Sequence, residues 1–189
     1  MRQSRAALLL LLALGAVQSR ADAPNPGAVT RTDVVRDGSA VEVRSSIEAP
    51  AEVEQCYAVL VDFDRLAEFI PGLESSRIVS APGEPLLLRQ VGSTTAGLSS
   101  FTFDVTLAVT LEPPHRITFR RVAGNLEQMA GSWQVSGDAA HCVVQYQAVL
   151  EPSFWVPPLI GPLLIRHKVE QQIDGLAAEI VHRAGQPAR

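Results

Sequence analysis

From Leu73 to Leu150 the chain repeats one pattern, and that repetition most constrains its fold. Short runs of alternating apolar and polar residues are separated by turn-forming residues at close, regular intervals. Leu73–Ser80 leads into Ala81-Pro82-Gly83, and Leu86–Val91 into a Gly/Ser/Thr-rich loop from Gly92 to Ser100. Phe101–Thr110 leads into Pro113-Pro114, His115–Val122 into Gly124-Asn125, and Leu126–Val135 into Gly137-Asp138; Cys142–Leu150 closes the set. Period-2 alternation marks a half-buried strand, and turns this frequent leave room only for hairpin connections. The spacing therefore predicts an antiparallel sheet. Its clearest strand places Phe101, Phe103, Val105, Leu107 and Val109 on one face, against Thr102, Asp104, Thr106, Ala108 and Thr110 on the other.

After Pro162 the period changes to 3.6. Ile165, Val169, Ile173, Leu176 and Ile180 form an apolar stripe opposite Arg166, Glu170, Asp174 and Glu179, which predicts a helix to about Arg183. Upstream, the pattern becomes strand-like from Val34, and Val41, Val43, Ser45 and Ile47 alternate with Glu42, Arg44 and Ser46 until Ala49-Pro50 stops the strand. A short helix opens at Ala51-Glu52-Val53-Glu54, where acidic residues suit the helix dipole. A second, near Asp64 to Phe69, ends at Pro71-Gly72. One amphipathic helix must bury its stripe against one face of a sheet. A sheet of this size curves, and a long helix across its concave side leaves a cavity between them.

The string DFDRLAEFIPGLESSRIV (Asp62 to Val79), after a strand ending in Ala49-Pro50, resembles the START-like helix-grip superfamily, SRPBCC. The stretch RRVAGNLEQMAGSWQV (Arg120 to Val135) resembles its two strands flanking a Gly, followed by Gly-x-Trp. The polyketide cyclase/dehydrase and coenzyme-Q-binding branches are the most similar, and the resemblance runs from about Val41 to Arg183. It implies an α+β helix-grip fold: a curved antiparallel sheet of about seven strands wrapped around a long C-terminal helix, with two short helices after the first strand. The superfamily hosts lipid carriers, hormone receptors and a few enzymes, so the fold alone does not settle function.

The N-terminus has the layout of a secretory signal peptide: basic Arg2 and Arg5, an apolar run from Ala6 to Val17, then small and polar residues up to Ala21. That run is too short to span a bilayer, which needs about 20 residues. The expected organisation is a signal peptide over 1–21, a flexible segment over 22–33, the domain over 34–184 and a tail over 185–189. Periplasmic or secreted localisation follows. The leader holds Arg2, Arg5 and Arg20 and no acidic residue, so its loss takes the formal charge from −4 to −7. A chain this acidic is not expected to bind nucleic acid, which needs a basic face. Cys56 and Cys142 could pair in an oxidising compartment; each also sits on an apolar face, where a free Cys serves as a small hydrophobe, and that second reading is the expectation.

Catalytic signatures are scarce. Gly92 to Gly97 has the glycine spacing of a phosphate loop, but Leu98 stands where the lysine should be and the segment joins two strands. His115, His141, His167 and His182 are too far apart for metal spacing, and no cofactor, metal or catalytic residue is expected. Asp104 is placed on the solvent face, paired across strands with an Arg such as Arg120 or Arg121. The expected ligand-binding residues are the large inward-facing ones: Phe69, Phe101, Phe103, Phe119, Trp133, Tyr146, Trp155, Ile165, Val169 and Ile173. The leading expectation is a monomeric, exported protein that binds a hydrophobic small molecule: a lipid, isoprenoid, quinone or polyketide-like compound. Phe154 and Trp155, in the proline-rich stretch 152–162, form either a cap on the core or a tip in transient contact with a membrane surface. The alternatives are a cyclase, dehydratase or isomerase using polar groups in the same cavity, and a ligand-free interaction module.

Overall fold

The computed structural model describes residues 27–96, 99–152 and 161–186, and it contains one strand more than the alternation predicts. Strands β1 (Val29–Asp37) and β2 (Ala40–Ala49) form a hairpin around Gly38, whose φ is +61°. Asp-Gly is a strong hairpin signal because a tight turn needs positive φ. The sheet thus begins at Val29, so residues 29–33, expected to be flexible, are strand.

After β2, helix α1 (Val53–Leu60) starts with the Glu52 N–H donating to Gln55 Oε1 at 3.1 Å, and it buries Val53, Cys56, Tyr57, Val59 and Leu60. A 3-10 turn (Phe63–Arg65) leads into the single-turn helix α2 (Leu66–Phe69). Six strands follow: β3 (Leu73–Ile78), β4 (Leu87–Ala96), β5 (Ser99–Glu112), β6 (Arg116–Gly124), β7 (Leu126–Gly137) and β8 (Cys142–Pro152). The sheet order is β1-β2-β8-β7-β6-β5-β4-β3, antiparallel throughout.

The expected loop from Gly92 to Ser100 is instead mostly strand, paired from Gly92↔Phe103 to Ala96↔Ser99. The glycine is needed there: a Cβ on Gly92 would lie 2.5 Å from the Phe103 ring. Gly92 is thus a strand residue kept small by the Phe103 ring, and Gly97 lies outside the described residues. Asp104 does face solvent, but its partner is Arg89 on β4, at 3.0 and 2.7 Å, rather than Arg120 or Arg121. The β4–β5 register puts Arg89 diagonally across from Asp104, whereas Arg121 donates to Gly124 O at 2.8 Å.

Helix α3 (Gly161–Ala184) runs antiparallel along β1: Gly27 lies beside Val181, and Thr30 Oγ1 donates to Asp174 Oδ1 at 2.7 Å. Ile173, Leu176, Ala177 and Ile180 are buried in the main core, while Ile165 and Val169 are only half-buried. The stripe is thus sealed in the second half of the helix and open in the first. Gly175 lets α2 come close, since a Cβ there would sit 2.4 Å from Phe69 O. Cys56 and Cys142 are not free hydrophobes: they form a disulfide, with Cα atoms 6.7 Å apart, that ties α1 to the start of β8. The inner face of α1 meets that end of β8 in the core, which brings the two side chains together.

Candidate functional site

One cross-strand row organises the concave face of the sheet. Thr32 of β1 pairs with Ser45 of β2, Ser45 with Tyr146 of β8, Tyr146 with Trp133 of β7, and Trp133 with Ile117 of β6. Alternation along each strand turns all five side chains inward. The row changes from hydroxyl-bearing at the β1 edge to aromatic and then aliphatic at its centre.

The aromatic part is a built platform. The Trp133 and Tyr146 rings lie 4.2 Å apart, centroid to centroid, tilted by 33°. Phe119 stacks on Tyr146 at 6.2 Å and 16°. Phe119 reaches over Gly131, where a Cβ would come within 2.8 Å of its ring. Gly131, a weak strand former, is what allows this reach.

A cavity of about 730 Å³ opens over the Tyr146 end of the row, between β1, β2 and β8 and the first half of α3. Thr30, Thr32, Ser45 and Tyr146 line it from the sheet, and Arg166, Glu170 and Asp174 from the helix. Thr32 Oγ1 and Ser45 Oγ share a hydrogen bond of 3.0 Å, and Arg166 Nε donates to Glu170 Oε1 at 2.9 Å. With Asp174 accepting from Thr30, both helix carboxylates are engaged. The Tyr146 hydroxyl has no hydrogen-bond partner among the described residues.

Burial raises the pKa of Tyr146, and burial followed by the Glu112 carboxylate raises that of Tyr57. These are the chain's two tyrosines. The native protein should therefore show less tyrosinate absorbance at 295 nm at pH 10.5 than the urea-unfolded chain, whose tyrosines titrate near the ordinary value of about 10. The folded state holds these protons more tightly, so the stabilisation is complete below pH 10 and falls as pH rises through the folded-state values. Half-titration of the native protein at pH 10 would show that both rings reach solvent.

Of the predicted ligand residues, Phe119, Trp133 and Tyr146 come together in the platform. Val169 and Ile165 lie half-buried on the open half of α3, and Ile173 is in the core. Phe103 packs across Gly92, farther toward β3. Phe69 faces the other end of the helix, where the Arg183 guanidinium sits 5.5 Å above its ring. The Phe101 side chain and Trp155, with Phe154, lie outside the described residues. Thr30, Thr32, Ser45 and Asp174 were not among the expected ligand residues. Their signal was present: the Asp37-Gly38 turn makes Thr30 and Thr32 strand residues, and Ser45 shares the apolar parity of Val43 and Ile47. Among the described residues no three His, Cys, Asp or Glu side chains converge to hold a metal ion.

Residues 49–177, from the end of β2 through most of α3, match the family described as polyketide cyclase / dehydrase and lipid transport. The chain belongs to that family. Its fold agrees with this family's START-like relatives. A START superfamily protein from Mycobacterium smegmatis superposes with a TM-score of 0.63 at 16% identity, over 75% of this chain and 97% of that one. A STAR-related lipid transfer protein from Xanthomonas axonopodis gives 0.62 at 16% identity, over 82% and 94%. An aromatase/cyclase from Streptomyces gives 0.59 at 15% identity, over 77% and 93%. At these identities the likeness establishes the helix-grip fold. No curated protein matches the sequence. This family member carries β1 and nearly all of β2 outside the matched residues, so the hydroxyl end of the row lies beyond the family match.

Proposed function

We propose that this protein binds a hydrophobic small molecule, such as a lipid, isoprenoid, quinone or polyketide-like compound, in the cavity between the sheet and α3. The observation that carries this reading is the Phe119–Tyr146–Trp133 platform, whose Tyr146 end lines a cavity large enough for such a molecule. Ligand pockets of about 300–1,000 Å³ typically combine apolar walls with a few polar anchors. On α3, Ile165 and Val169 are half-buried. A cyclase or dehydratase reaction here would call for an available acid or base; the helix carboxylates Glu170 and Asp174 already accept hydrogen bonds, and Asp33 has the outward parity of β1. Binding is therefore the better supported of the two.

The test is titration with the apolar dye 1-N-phenylnaphthylamine, together with native mass spectrometry of protein purified from its own host. The dye should bind with one-to-one stoichiometry, and Trp133→Ala should weaken it about tenfold or more, the loss expected when a large aromatic wall is removed. Absence of dye binding, together with a native mass equal to that of the bare chain, would refute the proposal.

The protein acts outside the cytoplasm in this reading. The signal-like leader supports it, and so does a buried disulfide, which persists in oxidising compartments. Intact mass of chain from the native host should lack residues 1–21 or 1–23. Full-length chain in the membrane fraction would overturn export.

A further inference from the structure

Inner-face hydroxyls in this sheet interrupt an otherwise apolar surface. The row on one side of Thr32–Ser45–Tyr146 continues from Thr30 through Ile47, Val144 and Val135; the row on the other side runs Val34, Val43, Ala148, Gly131. Valine has nearly the shape of threonine and would pack there without a polar group to satisfy. Ser45 is nevertheless only 7% exposed, and among the described residues its hydroxyl is bonded to Thr32 alone.

We infer that Thr30, Thr32, Ser45 and Tyr146 form a headgroup subsite for an uncharged oxygen, of alcohol, phenol or carbonyl class, at the end of an apolar ligand; this rests on the cavity reading above. Three observations converge on it. First, the charged groups that α3 brings to the cavity are already engaged: Arg166 donates to Glu170, and Asp174 accepts from Thr30. The arginines Arg31 and Arg44 have the opposite strand parity and pair with Glu48 and Glu42 on the outer face of the sheet. An ionic headgroup would arrive without a counter-ion, at a cost a neutral one avoids. Second, hydroxyls both donate and accept, so the cluster suits an oxygen that does the same. The Thr32–Ser45 pair uses one of its two hydrogens internally, and Tyr146, a phenol protonated at neutral pH, supplies a donor that has no partner among the described residues. Third, Tyr146 both lines the cavity and stacks against Trp133, so the hydroxyls and the aromatic end of the cavity meet in one continuous row.

The experiment is displacement of bound 1-N-phenylnaphthylamine at pH 7.5 by three probes of one chain length: 1-dodecanol, dodecanoate and dodecylammonium. Dodecanol should displace the dye at a concentration at least about tenfold below that of either ion. In Thr32→Val/Ser45→Ala, and separately in Tyr146→Phe, the ratio of alcohol to ion should shrink to about threefold or less. Tyr146→Phe is nearly isosteric and keeps the test usable should the double variant fail to fold. Equal displacement by all three probes in the wild-type protein, or a preference that survives both changes, overturns the headgroup inference and leaves the cavity reading standing. Failure of the wild-type protein to bind the dye or any of the probes overturns both.

Discussion

Breaking the Cys56–Cys142 bond should destabilise this protein by about 2–5 kcal/mol, near the upper end of what one disulfide contributes. The two cysteines are 86 residues apart, and both are fully buried. The closed loop spans α1, α2 and strands β3 to β7. A chain-entropy treatment of a loop that long gives roughly 4–5 kcal/mol. For a domain of this size each kcal/mol moves Tm by about 2–4 °C, so full reduction should lower the melting point by roughly 5–20 °C. Thermal melts with and without a phosphine reductant, paired with intact masses, measure the effect directly. Cys56→Ala/Cys142→Ala separates loss of the bond from the polarity a serine would bring. A melting point unmoved by reductant, with both thiols shown to be free, would mean that the sheet holds α1 without the bond.

Ile173→Asp should be the most damaging single change in α3, costing about 4 kcal/mol or more, as expected for a charge placed in an apolar core. Ile173 is 3% exposed and lies among Leu176, Ala177 and Ile180 where the helix meets the core. Val169→Asp, one turn earlier on the same stripe, should cost clearly less, because Val169 is half-buried beside the open half of the helix. Urea unfolding of the two variants side by side measures the difference. Equal losses would mean that the stripe is sealed along its whole length and that no apolar wall stands open over the Tyr146 platform.

The contrast between those two isoleucine and valine positions marks how far local pattern carries. Period-2 runs, their turns and the 3.6-period stripe are properties of neighbouring residues, so the antiparallel sheet, the closing helix and the inward set Phe119, Trp133 and Tyr146 were all legible from Leu73 onward. The β1–β2 hairpin was legible in part, from Val34 onward, but residues 29–33 of its first strand match a flexible segment in pattern because Thr and Arg carry little apolar signal. Gly92 falls at the start of the stretch expected to be a loop, and Gly131 falls in the Gly-x-Trp of the resemblance. They are strand residues whose missing Cβ admits the rings of Phe103 and Phe119, a reason that lies on neighbouring strands and not beside them in the chain.

By itself, the order of residues determined the element types, the handedness of in and out along each strand, and membership in a helix-grip architecture, because each depends on backbone geometry repeated over a few residues. Only the tertiary structure decided that Cys56 meets Cys142, that Arg89 rather than Arg121 holds Asp104, and that α3 lies along β1. It alone aligned Thr32, Ser45, Tyr146 and Trp133 in one row. These four residues come from four strands as far as 114 positions apart by their numbering, and strand register, set by packing over the whole sheet, is what makes them neighbours.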